Sequence, residues 1–162
     1  TFTQDGSTDG LETLVASYPK SQHKEVRASL KQLYEAFPQV ARSVGIPTND
    51  LSSAVAAVIA GAYMAYNNIS LNDDYVKPMA NQFKAHLENS RFFDGMSNRE
   101  KKSMYDQMVM VGMTLAVGQS LNQSNPNSQT TAQLREAGKQ ILEAILKVDA
   151  DRVRITSQGI SY

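Results

Sequence analysis

The sequence predicts an all-α fold, a single-domain bundle of five or six helices packed around one central Ala-rich helix, with a short extended C-terminal arm. Three observations carry that expectation. Leu51–Tyr66 holds no charged residue and is apolar on nearly every side, as a helix enclosed by other helices must be. Helix start and stop residues punctuate most of the chain. Between them the apolar side chains step by three and four, the spacing of one buried helical face. At 162 residues the chain has the size of one ordinary domain, long enough to bury ~70% of the surface its unfolded form exposes.

The first stretch, DGSTDG from Asp5 to Gly10, opens like a calcium loop, with oxygen-bearing side chains at alternate positions and a glycine for the bend. Counting from Asp5 puts Ala16 where the closing bidentate carboxylate must stand, and Glu12 where an apolar anchor belongs. The shell cannot close, so residues 1–10 read as a flexible polar tail and residues 11–162 as the helical domain. Ser7, Thr8 or Asp9 is placed to cap the first helix.

Leu11–Ser17 forms that helix and stops before Pro19, because proline disfavours helical geometry in the residue ahead of it. Ser21 caps a second helix whose buried face is Val26, Leu30, Leu33 and Phe37, with Pro38 expected to break or kink it. The following turn ends at Gly45, a left-handed stop. Thr48, Asn49 and Asp50 offer caps for the central helix, whose Ala57, Gly61 and Ala65 make a small-residue stripe suited to close packing. Asn72, Asp73 or Asp74 begins the next helix, with Pro78 in its first turn and Val76, Met79, Ala80, Phe83 and Leu87 on one side. A turn through Phe92, Phe93, Asp94 and Gly95 follows. SNRE, Ser97 to Glu100, is a capping box that opens a helix running to about Leu121. Asn122–Thr130 has no charge and no large apolar residue, and reads as a solvent-facing connection. Leu134, Ile141, Leu142, Ile145 and Val148 line the last helix, Asp149 and Asp151 turn the chain out of it, and the alternation in Arg152–Thr156 marks a short strand or an extended arm.

Composition excludes several functions. Sixteen basic and sixteen acidic side chains balance, so no field favours nucleic acid or an anionic membrane. The absence of cysteine removes disulfides, thiolate catalysis and cysteine-ligated zinc. Neither His23 nor His86 has a second histidine at zinc-pair spacing, and no nucleophile elbow, phosphate loop or dinucleotide fingerprint occurs. The central apolar stretch is about 24 Å long as a helix, mostly Ala, and short of the ~20 strongly apolar residues of a membrane span. No catalytic residue, metal site or cofactor is expected.

What remains is binding chemistry. Ser97, Arg99, Lys101 and Lys102 crowd a helix start, where free amides and cations together suit an anion, against the alternative of a solvated charged face. Tyr63, Tyr66, Asp73 and His86 are the polar groups of a small-ligand or hydrolytic site between helices. Met104, Met108, Met110 and Met113, with Phe92 and Phe93, offer an adaptable apolar face that serves as core where buried and as a partner site where exposed.

VGIPTNDLSSAVAAVIAGAYMAY, Val44 to Tyr66, resembles the glycine turn, capping acid and Ala-rich helix of a bacterial helical family known only as a domain of unknown function. KVDADRVRITSQGISY, Lys147 to Tyr162, is similar to that family's closing pattern, and the helix opening SNREKKSMYDQM to its intervening segment. The resemblance implies export to the periplasm or outside the cell, which suits a chain beginning at Thr1, and it brings no catalytic residues. The functional expectation is a non-enzymatic module that binds another protein, an inhibitor or immunity-type role being one version; the alternative is a small-ligand-binding or hydrolytic enzyme. The capping box supplies the first test: Ser97→Ala removes one satisfied amide and lowers unfolding free energy by ~1 kcal/mol in urea denaturation.

Overall fold

The computed structural model describes residues 1–162. Six helices run in the order α1 (Asp9–Ala16), α2 (His23–Val44), α3 (Leu51–Asn67), α4 (Val76–Glu88), α5 (Asn98–Ser124) and α6 (Ser128–Leu146). Short 3-10 turns at Lys20–Gln22, Asp73–Tyr75 and Ala150–Arg152 connect them, and a hairpin of β1 (Arg154–Thr156) and β2 (Gly159–Ser161) closes the chain. No helix is long and apolar enough to cross a membrane.

The charge-free segment is the middle of the molecule. Asp50 caps α3 by accepting from the Ser52 amide at 2.9 Å, and twelve of the helix's 17 residues are buried, so its neighbours enclose it as the sequence requires. α4, α5 and α6 all pack on it. Small residues decide how near they come. A β-carbon built on Gly61 would lie 2.6 Å from the Gly112 carbonyl oxygen of α5, and one built on Gly112 would lie 2.8 Å from the Ala57 carbonyl. Gly138 of α6 meets the Ala62 carbonyl in the same way. The small-residue stripe of α3 therefore packs against α5, while Gly112 and Gly138, the complementary positions, carry no mark of their own in the sequence.

Several local expectations hold to the residue. Gly45 ends α2 at φ +80°, and the Ile46 amide reaches back to the Ala41 carbonyl at 2.9 Å. Ser97 and Glu100 form the reciprocal capping box, with the Ser97 amide donating to the Glu100 carboxylate at 2.7 Å and the Glu100 amide to the Ser97 hydroxyl at 3.1 Å.

Three local expectations along the helices need correction. Pro38 does not break α2, which continues to Val44 around it and keeps Phe37 and Ala41 in the core. Ser21 lies inside a 3-10 turn and makes no capping bond. The connection expected at Asn122–Thr130 shrinks to Asn125, Pro126 and Asn127. Asn122 is buried there, accepting from the Asn127 amide at 3.0 Å and donating to the Thr131 hydroxyl at 2.7 Å, so a polar residue acts as a pin between two helices.

The extended arm folds back as an antiparallel hairpin, Ile155 opposite Ile160. Gln82 of α4 holds it, accepting from the Ile160 amide at 2.7 Å and donating to the Ile160 carbonyl at 3.1 Å. Residues 1–10, expected as a flexible tail, are tied down. Asn98 clasps Thr3 through both its backbone groups at 2.6 and 2.7 Å, the Phe2 ring sits 4.8 Å from Tyr105, and α1 already begins at Asp9.

Close backbone approach makes a contrast between two glycines of α5. Gly112→Val should destabilise at the upper end of the roughly 1–3 kcal/mol typical of overpacking, because the atoms it meets are backbone. Gly118→Ala, whose β-carbon meets only the Leu134 side chain at 3.4 Å, should be neutral or gain up to ~1 kcal/mol in helix propensity. Paired urea titrations of the two variants check this.

Candidate functional site

The basic cluster at the α5 start is dispersed by the fold. Ser97 spends its hydroxyl on the helix cap. Arg99 turns to α1 and grips Asp9 with two hydrogen bonds, at 2.5 and 2.7 Å, which hold the Asp9 carboxyl below its ordinary value. Lys101 stays on the surface side without an ion pair, and Glu100 is folded onto the cap. Lys102 points the other way, into the protein. The four residues therefore present no common anion cradle.

Lys102 is only 5% exposed. Its Nζ donates to Asp106 Oδ2 at 2.5 Å and to the Ser7 carbonyl at 2.6 Å, and lies 5.8 Å from the centre of the Tyr34 ring. Asp106 is equally enclosed, and its Oδ1 has no hydrogen-bond partner. Burial above all, with the Asp106 carboxylate alongside adding to it, pushes the Tyr34 phenol well above its ordinary value, so that hydroxyl stays protonated. Lys102, Asp106, Val109 and Met113 step by four, three and four, so the pair continues the buried face of α5 toward its N-terminus. That spacing was the available signal for a buried charge, and the reading of Lys102 as part of a solvated or anion-facing cluster is corrected by it.

Tyr63, Tyr66, Asp73 and His86 are not brought together. Tyr63 is buried in the core. Tyr66 donates its hydroxyl to Asp151, a bond that raises the phenol's pKa. Asp73 borders a separate apolar cleft of about 190 Å³ between α2, α3 and α5. His86 is exposed on α4. No three His, Asp or Glu side chains converge to hold a metal ion.

The methionines divide. Met110 and Met113 are buried, whereas Met104 and Met108 are partly buried and border a groove of about 820 Å³. The groove exists because α4 and α5 each pack on α3 but scarcely on one another. Val55 of α3 contributes to its lining, α4 offers Phe83, His86 and Leu87, and the end of α6 and the hairpin bring Ile145 and Ile160. The turn between α4 and α5, bent by Gly95 at φ +81°, sets Phe92 and Phe93 on the same groove with their rings edge to face at 5.1 Å. Phe92 is 66% exposed and Tyr162 53%, so aromatic surface faces solvent beside an apolar trough. Sequence spacing marked the methionines and phenylalanines; the contributions of α6 and the hairpin come from the fold.

The buried pair predicts an asymmetric mutational response. Lys102→Met or Asp106→Asn leaves one polar group stranded and should cost about 3–5 kcal/mol, while the double change Lys102→Met with Asp106→Leu should cost less than either. Chemical denaturation of the three variants measures this.

No curated protein and no solved structure shows significant similarity to the chain. A model of a family of unknown function, DUF6683, matches residues 1–162, and with the match spanning the full length described above, the chain belongs to that family.

Proposed function

We propose that the chain is a non-enzymatic binding module of an exported bacterial protein, and that its groove receives an apolar segment of another protein. The observation that carries the reading is the two-thirds-exposed Phe92 ring beside Met104 and Met108 on an 820 Å³ trough. A partner that covered Phe92 would gain ~1.5–3 kcal/mol from that side chain alone, and flexible thioethers accommodate segments of differing shape. An inhibitor or immunity-type protein would use such a surface to cover its target. The periplasmic or secreted setting rests on the family resemblance. The enzyme reading is disfavoured because its four polar residues lie apart, Tyr63 is buried in the core and the Tyr66 hydroxyl is bonded to Asp151.

Cross-linked partners recovered from an extracellular or periplasmic fraction, compared between the native chain and Phe92→Asp, test the proposal. The variant should unfold within a few degrees of the native protein, since the ring is mostly outside the core, and should bind about ten- to a hundredfold more weakly. Equal recovery by both proteins would remove the groove from consideration. Fractionation of cells expressing the complete gene product tests the location.

A further inference from the structure

Residues 1–4 lie in a channel whose floor is built without them. Asn98, Lys102 and Tyr105 step by four and three along one face of α5. Tyr34 and Phe37 of α2 each meet the Tyr105 ring edge to face, with centroids 6.3 Å away. Asn49, in the turn before α3, donates its amide to the Tyr105 hydroxyl at 3.1 Å. None of these floor contacts involves residues 1–4, so the channel keeps its shape whether or not that segment is seated. The segment itself forms no helix or strand, and its one backbone bond to the rest, from the Phe2 amide to the Asn49 carbonyl, is long at 3.4 Å.

Three contacts hold the segment. The partly buried Phe2 ring lies 4.8 Å from Tyr105. The Asn98 carboxamide accepts from the Thr3 amide at 2.7 Å and donates to the Thr3 carbonyl at 2.6 Å, a clasp that reads backbone and not side chain. Gln4 Nε2 donates to the Tyr34 hydroxyl at 2.9 Å and to Asn49 Oδ1 at 2.7 Å. Beyond Gln4 the chain is anchored separately. Asp5 accepts from the Ser7 amide at 2.9 Å and its hydroxyl at 2.5 Å, and the Ser7 carbonyl holds Lys102. Residues 1–4 can therefore leave while the turn that follows stays in place.

We propose that this channel is a second binding site, for an extended peptide of another chain with an aromatic residue two positions before a hydrogen-bond donor, and that residues 1–4 are its tethered competitor. The segment seated there shows what fits: an aromatic ring against Tyr105, a middle residue gripped through its backbone, and a donor side chain between Tyr34 and Asn49. Lys102 and Asp106 neutralise each other beneath it, so selection rests on ring shape and hydrogen bonds. A floor fixed by helices lowers the entropy cost of receiving the peptide. The site shares no residue with the groove, and its test is independent of that reading.

Amide resonances of the isotope-labelled full chain, titrated with the peptide TFTQ, test this. Phe2→Ala empties the aromatic socket and should bind the peptide about tenfold more tightly than the native chain, whose own segment competes. Shifts should centre on Asn49, Asn98 and Tyr105. Adding Asn98→Ala removes the clasp and should weaken binding about tenfold, and the peptide TATQ should bind neither chain. No shift in Phe2→Ala at millimolar peptide overturns the proposal, as does binding indifferent to Asn98→Ala or to loss of the peptide's ring. Equal binding by native and Phe2→Ala chains overturns the competition. Hydrogen exchange in the native chain gives a reading free of substitution: the Thr3 amide should exchange far faster than the amides of α3. Exchange as slow as in α3 means that residues 1–4 open only with the whole domain, which also overturns the proposal. Thermal unfolding of each variant separates loss of binding from loss of fold.

Discussion

The close crossing of α3 by two other helices is the constraint on which the rest of the structure depends. Backbone meets backbone at Gly61 with Gly112, and again where Gly138 meets Ala62. Such contact is possible only if α3 carries no charge that would need water and no bulk that would hold its neighbours away. The uncharged sequence and the short side chains are therefore one requirement. Because α3 is enclosed on several sides, each other helix needs only one apolar face, and its outer face is free to be polar.

Enclosure also explains why there is a groove. α4 and α5 reach α3 separately, and the nine residues between them, Asn89 to Ser97, turn at Gly95 without filling the gap. The hairpin closes one end, held by the Gln82 carboxamide against both backbone groups of Ile160. That bracket occupies the outer edge of β2, which would otherwise be open to pairing with another strand. An apolar trough left between elements that are themselves well anchored is a rigid surface, which lowers the entropy cost of receiving a partner.

At the opposite side of α5 the N-terminal segment behaves as a strap. Thr3, Gln4 and Ser7 reach Asn98, Tyr34, Asn49 and Lys102. Beneath it lies the Lys102–Asp106 pair, and the Ser7 carbonyl takes one of the three protons the buried ammonium must place. A buried ion pair contributes little net stability over an apolar replacement, but losing one partner is severe. The strap and the pair consequently depend on each other, which joins the first ten residues to the domain.

By itself the sequence determined the elements whose cause is local. The Gly45 stop, a cap for α3 among Thr48, Asn49 and Asp50, the Ser97–Glu100 box and the central position of Leu51–Tyr66 were legible because each is settled among residues within a turn or two, or by a composition that permits only burial. Pro38 and the Asn122–Thr130 segment were misread because packing outweighs local preference: a helix anchored in the core by Phe37 and Ala41 tolerates one lost amide bond, and Asn122 found partners on α6 and in the turn that leads into it. Half of the candidate site was visible as Met and Phe spacing. Only the tertiary structure decided that Arg99, Lys101 and Lys102 part company, that the arm returns as a hairpin, and that an apolar trough stays open. Those outcomes rest on contacts between residues 78 to 95 positions apart, such as Gln82 with Ile160 and Ser7 with Lys102. No local periodicity encodes them, because they depend on which helical faces meet.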